Sequence, residues 1–200
     1  MALAREDEMA CWSGVFRGVV LGAGLIMLVS ACNSDGESKG STNNSASATP
    51  TIAADVPAGF DACKDLPQAL IQSEKLKNKG DDIANRPGGF KWRGCGWVQA
   101  GGDGYAATID TTNITLAMVR TNKDFTVDEE LTVAGRAALT SHVSGQDPHA
   151  DCVINVELKG GSLEVSIDNP PTGKPTAAQH SCDIAKRLAE QIVPAIPTTL

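Results

Sequence analysis

Cys152-Val153-Ile154-Asn155-Val156-Glu157-Leu158, then Lys159-Gly160-Gly161, then Ser162-Leu163-Glu164-Val165-Ser166-Ile167: this is the stretch on which the fold turns. Apolar and polar side chains alternate along both runs, the pattern of strands with one face in a core. Gly160-Gly161 supplies the turn between them, so the stretch reads as an antiparallel hairpin. A lone hairpin is not stable, so other strands and a cover are required. Upstream, aromatic-rich Phe90–Val98 and the alternating Tyr105–Thr111 read as a second strand pair around a turn at Gly101–Gly104. Leu131–Leu139 reads as a strand kinked at Gly135. Ile114–Val119 is apolar, but its period fits helix and strand equally. Asp81–Gly89 reads as loop, as does Asn169–Pro175 with its three prolines.

Helices are expected at both ends of this strand region. Asp65 can cap one beginning at Leu66-Pro67, with Leu66, Leu70, Ile71 and Leu76 at helical spacing and Gly80 closing it. The other starts at Ser181 or Asp183, buries Ile184, Leu188, Ile192 and Val193, and ends at Pro194. The expected fold class is therefore α+β. It is a single domain in which an antiparallel sheet carries an N-terminal and a C-terminal helix packed on one face.

The N-terminal part has a different character. Val19–Val29 is too short for the roughly 20 apolar residues of a membrane-spanning helix and suits the core of a secretory signal. Ser30 and Ala31 are small residues suited to a peptidase, and Cys32 follows them. Val29-Ser30-Ala31-Cys32 resembles the lipobox of a bacterial lipoprotein, which implies cleavage between Ala31 and Cys32 and diacylglycerol on the Cys32 sulfur. Arg5-Glu6-Asp7-Glu8 is acidic where a leader should be basic, and a start at Met9 leaves Arg17 as the only charge before the apolar core. Met9 is accordingly read as the start. Asn33–Pro57, rich in Ser, Asn, Ala, Thr and Gly, cannot bury enough surface to offset its ordering entropy. As a flexible coil it spans about 25–30 Å. The expected organisation is a signal peptide over 1–31, an acylated cysteine and tether over 32–57, and an exported domain over 58–200. The triplets Asn43-Asn44-Ser45 and Asn113-Ile114-Thr115 match a glycosylation acceptor, but they are short enough to arise by chance.

Within the domain lie four cysteines, Cys63, Cys95, Cys152 and Cys182. An even number in an exported domain reads as two disulfides. Three connectivities are open, and pairing of neighbours, Cys63–Cys95 and Cys152–Cys182, closes loops of similar length. Zinc is disfavoured because no two form a C-x-x-C pair. The formal charge is −7 with no basic stripe, which argues against nucleic acid and against an electrostatic membrane face.

No catalytic residue is assigned, and no metal or other cofactor is expected. The chain has no H-E-x-x-H, G-x-S-x-G or P-loop motif. Its three histidines are His142, His149 and His180, and Asp147-x-His149-x-Asp151 around Pro148 reads as a surface turn. Asp128-Glu129-Glu130 reads as a solvated acidic run. Trp92 and Trp97 stand five apart on one strand and so face opposite ways, unless Gly94 or Gly96 introduces a bulge. Trp92, Trp97 and Arg136 are the candidates for a ligand or partner groove. Arg136 could instead pair with Asp110 or with a loop carboxylate.

Taken in order, the lipobox, the Ser/Thr-rich tether, Phe60-Asp61-Ala62-Cys63, Gly94-Cys95-Gly96-Trp97, Ala134-Gly135-Arg136-Ala137-Ala138 and Ser181-Cys182-Asp183-Ile184-Ala185 resemble a known family. It is that of the actinobacterial lipoproteins carrying the domain of unknown function numbered 3558. The resemblance covers about Phe60 to Pro197 and rests on the order of features and the cysteine placement. It implies an exported, lipid-anchored protein on the outer face of the cytoplasmic membrane, distantly similar to the PsbP and Mog1 fold, and it transfers no catalytic residues. The expected function is a noncatalytic module binding an envelope protein or an apolar ligand. The alternative is an envelope hydrolase without a recognisable motif.

Overall fold

The computed structural model describes residues 51–200 other than residues 100 and 102. The leader, the Ala31–Cys32 cleavage site, the Cys32 acylation site and the tether up to residue 50 lie outside the described residues. Seven antiparallel strands form one sheet in the order β1-β2-β3-β7-β6-β5-β4. In chain order the elements are α1 (Gln68–Ser73), β1 (Leu76–Arg86), β2 (Phe90–Gln99), β3 (Ala106–Thr112), α2 (Leu116–Thr121), β4 (Phe125–Val133), β5 (Arg136–Val143), β6 (Asp151–Leu158), β7 (Gly161–Asp168) and α3 (Ser181–Ile192).

The fold-class expectation is corrected here. Among the described residues the chain is mostly a seven-stranded sheet with three short helices, one of them C-terminal, and no N-terminal helix is packed on the sheet. Leu66, Leu70 and Leu76 are buried as expected, but only six residues around Leu70 are helical. Lys75 takes a positive φ of 53°, an expensive conformation for a residue with a Cβ, and this turns the chain into β1. Gly80 lies within that strand. β1 is a sheet edge, exposed along most of its length, so Lys77–Asp82 shows none of the alternation that marks a half-buried strand. Asp81–Arg86, read as loop, is strand for the same reason.

Leu131–Leu139 is likewise two strands. β4 and β5 meet at Ala134-Gly135, both at positive φ (47° and 85°), as a two-residue hairpin turn of the mirror-image kind demands. In the β6–β7 hairpin, Leu158 pairs with Gly161, so Lys159 and Gly160 form the turn. Gly161 is needed for another reason: a Cβ there would sit 1.9 Å from the Thr112 carbonyl oxygen.

In-register pairs share a face of the sheet. On one face Trp97, Ala107, Ile167 and Cys152 form a continuous row, and α3 covers it with Ile184, Leu188 and Ile192, all fully buried. Each such side chain contributes about 1.5–3 kcal/mol by leaving water. The disulfides fasten this layer. Cys63–Cys95 ties the N-terminal turn to β2, and Cys152–Cys182 ties the first turn of α3 to β6. Glu74, next to α1, is buried beside them. It accepts from Tyr105 Oη (2.9 Å) and from Arg187 Nε of α3 (2.8 Å), and the Arg187 hydrogen bond holds its carboxyl below the usual range. Residues 53–55, read as tether, already bind the sheet: the Ala53 oxygen accepts from Asn113 Nδ2 and the Ala54 oxygen from Lys91 Nζ.

Candidate ligand-binding site

The other face of the sheet carries a row of a different kind. Asp82, Gly94, Asp110, Glu164, Asn155 and Leu139 are register partners from β1 to β5. Alternation makes this the polar face of β3 and β7, and such faces are ordinarily in water. Here α2 closes over the β5 side, burying Leu116 and Val119 against Leu139. Thr115 caps α2 by accepting from the Met118 N–H. Between α2 and β1–β2 the face stays hollow, a cavity of about 1050 Å³ lined by the acidic row, by Trp92, and at its apolar side by Phe90, Met118 and Phe125.

Gly94 allows the acidic row to exist. With no side chain at 94, the Asp110 carboxyl lies across β2; a Cβ there would be 2.3 Å from Asp110 Oδ1 and 2.0 Å from the Ile109 oxygen. Glu164 is held by two donors, Trp92 Nε1 and Asn155 Nδ2, each at 3.0 Å. Asn155 Nδ2 also donates to Ser162 Oγ (3.1 Å), which donates to the Ile114 oxygen (2.8 Å). That chain fixes the start of α2 against β7.

Burial raises the pKa of both central acids, because desolvation disfavours the ionised form. Asp110 is pushed up to about 8, first by burial and then by the nearby charges of Asp82 and Glu164. Glu164 is raised by burial against the opposing pull of its Asn155 and Trp92 hydrogen bonds. Chemically, the cavity offers a neutral acid at physiological pH, a fixed acceptor pair and an aromatic wall.

Trp92 lines this cavity. Trp97 does not; it is buried in the core on the opposite face, and β2 runs against β3 without a register shift. Arg136 is far from both, donating to the backbone oxygens of Leu200 (2.9 Å) and Pro197 (2.8 Å). The three groove candidates therefore do not converge. His142 faces Asp128 at 2.9 Å, and His180 Nδ1 accepts from the Cys182 N–H at the start of α3. His149 N–H donates to Asp147 Oδ1 in a turn, and no histidine lines the cavity. Asn113 is fully buried, its amide donating to Ala53 and Gly89, so the second glycosylation triplet is inaccessible. Two groups bring ligand-type atoms within 4.8 Å of one another, Cys63-Asp81-Cys95 and Asp128-Cys152-Cys182. Their sulfurs are disulfide-bonded and carry no thiolate for a metal.

Asp82, Glu164, Asn155 and Ser141 were not singled out by the sequence, and Asp110 was named only as a partner for Arg136, which instead bonds to backbone oxygens. The period-2 pattern placed Asp110 and Glu164 on a polar face, and no local signal says that α2 would bury that face.

Fold and site together define a one-sheet domain whose polar face encloses an acid-lined, solvent-open cavity. Within that class, the chain belongs to the family described as Protein of unknown function (DUF3558), which matches residues 27–195. No curated protein matches it.

Proposed function

We propose that this protein is a noncatalytic binding module of an actinobacterial cell envelope, anchored to the outer face of the cytoplasmic membrane by acylated Cys32. In this reading a small, partly apolar ligand occupies the cavity between α2 and the sheet. The carrying observation is that cavity, about 1050 Å³ with both a polar floor and an aromatic wall, the construction typical of small-molecule sites. Export is supported by two disulfides and by the short apolar run ending at Cys32. A noncatalytic role is supported by the placement of the histidines, His149 in a turn, His180 at a helix cap and His142 hydrogen-bonded to Asp128, none of them lining the cavity.

Two measurements test the two halves. Cys32→Ser should abolish palmitate labelling and move the protein out of the detergent phase; unchanged partitioning refutes the anchor. The neutral dye Nile red, titrated into the full chain, should show saturable one-site fluorescence that Thr108→Trp removes by filling the cavity. His142, His149 and His180 changed together to alanine should leave that binding intact. Nonsaturable uptake, or binding that survives Thr108→Trp, refutes the cavity as the site.

A further inference from the structure

Two residues that line the cavity each carry a buried polar atom with no hydrogen-bond partner among the described residues, Asp110 Oδ1 and Ser141 Oγ. These residues are 2 % and 1 % exposed, so bulk water does not serve them freely, and native folds seldom leave such groups unanswered. Ser141 can turn its hydroxyl hydrogen to whatever arrives. Asp110, which in its protonated form hydrogen-bonds to the Asp82 side chain, has acids on both sides, Asp82 from β1 and Glu164 from β7, and the charges acting on it are acidic. The remaining charges lining the cavity are Asp124 and Arg86, both on exposed positions. The interior thus concentrates carboxyl groups beside Trp92 and Phe90, whose ring faces attract cations.

The acidic row is not among the groups that bring three ligand atoms within 4.8 Å of one another, because its members are spread over strands spaced about 4.8 Å apart. A larger cation, with hydrogens to donate in several directions, matches that spread.

We propose that the cavity takes an organic cation, an ammonium or guanidinium group on an apolar body, with Asp110 and Glu164 as its counter-ions. This rests on the reading of the cavity as the ligand site. Glu164 is already oriented by Trp92 and Asn155, whose hydrogen bonds favour its ionised form against the pull of burial. Asp110, protonated at neutral pH in the empty site, gives up its proton to solvent as the cation arrives. Binding should therefore release protons near pH 7 and strengthen as pH rises toward 8.

The test is calorimetric titration of the full chain with octylamine, octanol and octanoate, three probes sharing one apolar chain. Octylamine should bind at least about tenfold more tightly than octanol, with octanoate weakest. Its apparent heat should differ between buffers of unlike ionisation enthalpy, which reads proton release. Asp110→Asn should erase the buffer dependence and weaken the preference for the amine, and Glu164→Gln should weaken that preference while keeping the buffer dependence; thermal melting checks that each variant folds. Octanol binding as tightly as octylamine overturns the cation inference while leaving the cavity reading intact. No binding of any probe, together with failure of the Nile red titration, overturns both. An amine preference that survives in both variants also refutes the proposal, since the charge recognised would lie elsewhere.

Discussion

Gly94 and Asp110 act as one device. A methyl group at 94 would collide with the Ile109 carbonyl and with the Asp110 side chain, and the Ile109 carbonyl, held in the β2–β3 ladder, cannot move aside cheaply. Gly94→Ala should cost about 3 kcal/mol in urea denaturation, the upper end for overpacking, and a cost below about 0.5 kcal/mol would refute the close approach. Asp110 also imprints itself on the pH profile. Its proton is held up to about 8 in the fold against 3.8 for the free side chain, so between these values the folded chain binds more protons than the unfolded one. Stability must then fall as pH rises across that window, by up to about 1.4 kcal/mol per pH unit for one proton. Asp110→Asn should flatten the decline between roughly pH 5 and 8; an unchanged slope contradicts the assignment. At the β4–β5 turn, Ala134 sits at φ 47°, where asparagine is at ease and alanine is not. Ala134→Asn should raise stability by about 0.5–1 kcal/mol, seen as a higher melting temperature.

Elements were legible in the sequence where a strand or helix has one wet and one dry side. β6, β7 and α3 satisfy that condition, and their alternating or helical stripes coincide with the buried residues Ile154, Val165, Ile184 and Leu188. β1 and β4 are the sheet edges; polar residues on both sides remove the period of β1, which was read as helix end and loop, while the acidic run Asp128–Glu130 at a register shift interrupts the alternation of β4, which was read only in part. α2 is six residues long, too short for a period to declare itself. The disulfides compensate for this economy of helix by fixing the covering layer to the sheet. Replacing Cys152 and Cys182 together by serine should cost roughly 3–4 kcal/mol on the chain-entropy estimate and loosen α3. Unfolding by urea should show this as a lower midpoint. A midpoint within error of the parent would mean that packing of Ile184, Leu188 and Ile192 alone holds the helix.

At the scale of the whole molecule, the sheet divides two tasks. One face is apolar, helix-covered and stapled; the other is polar, hollow and acid-lined. The candidate site was only partly visible beforehand because it is non-local: Asp82, Asp110 and Glu164 come from three strands separated by long stretches of chain, and only the register brings them level. Trp92 was found because an aromatic strand residue attracts notice by itself, whereas Trp97, alike in composition, belongs to the opposite face by parity. Arg136 drew attention as a charge mid-strand, yet its partners are backbone oxygens at residues 197 and 200, which no spacing rule anticipates. The claim on which the account stands is that the hollow face holds a molecule. To test it, the full chain and Thr108→Trp would be expressed in a bacterial envelope, purified in mild detergent and denatured, and the small molecules released would be quantified by mass spectrometry. The account predicts a compound released near one per chain from the parent and absent from Thr108→Trp; equal recovery from both, or none from the parent, would contradict it.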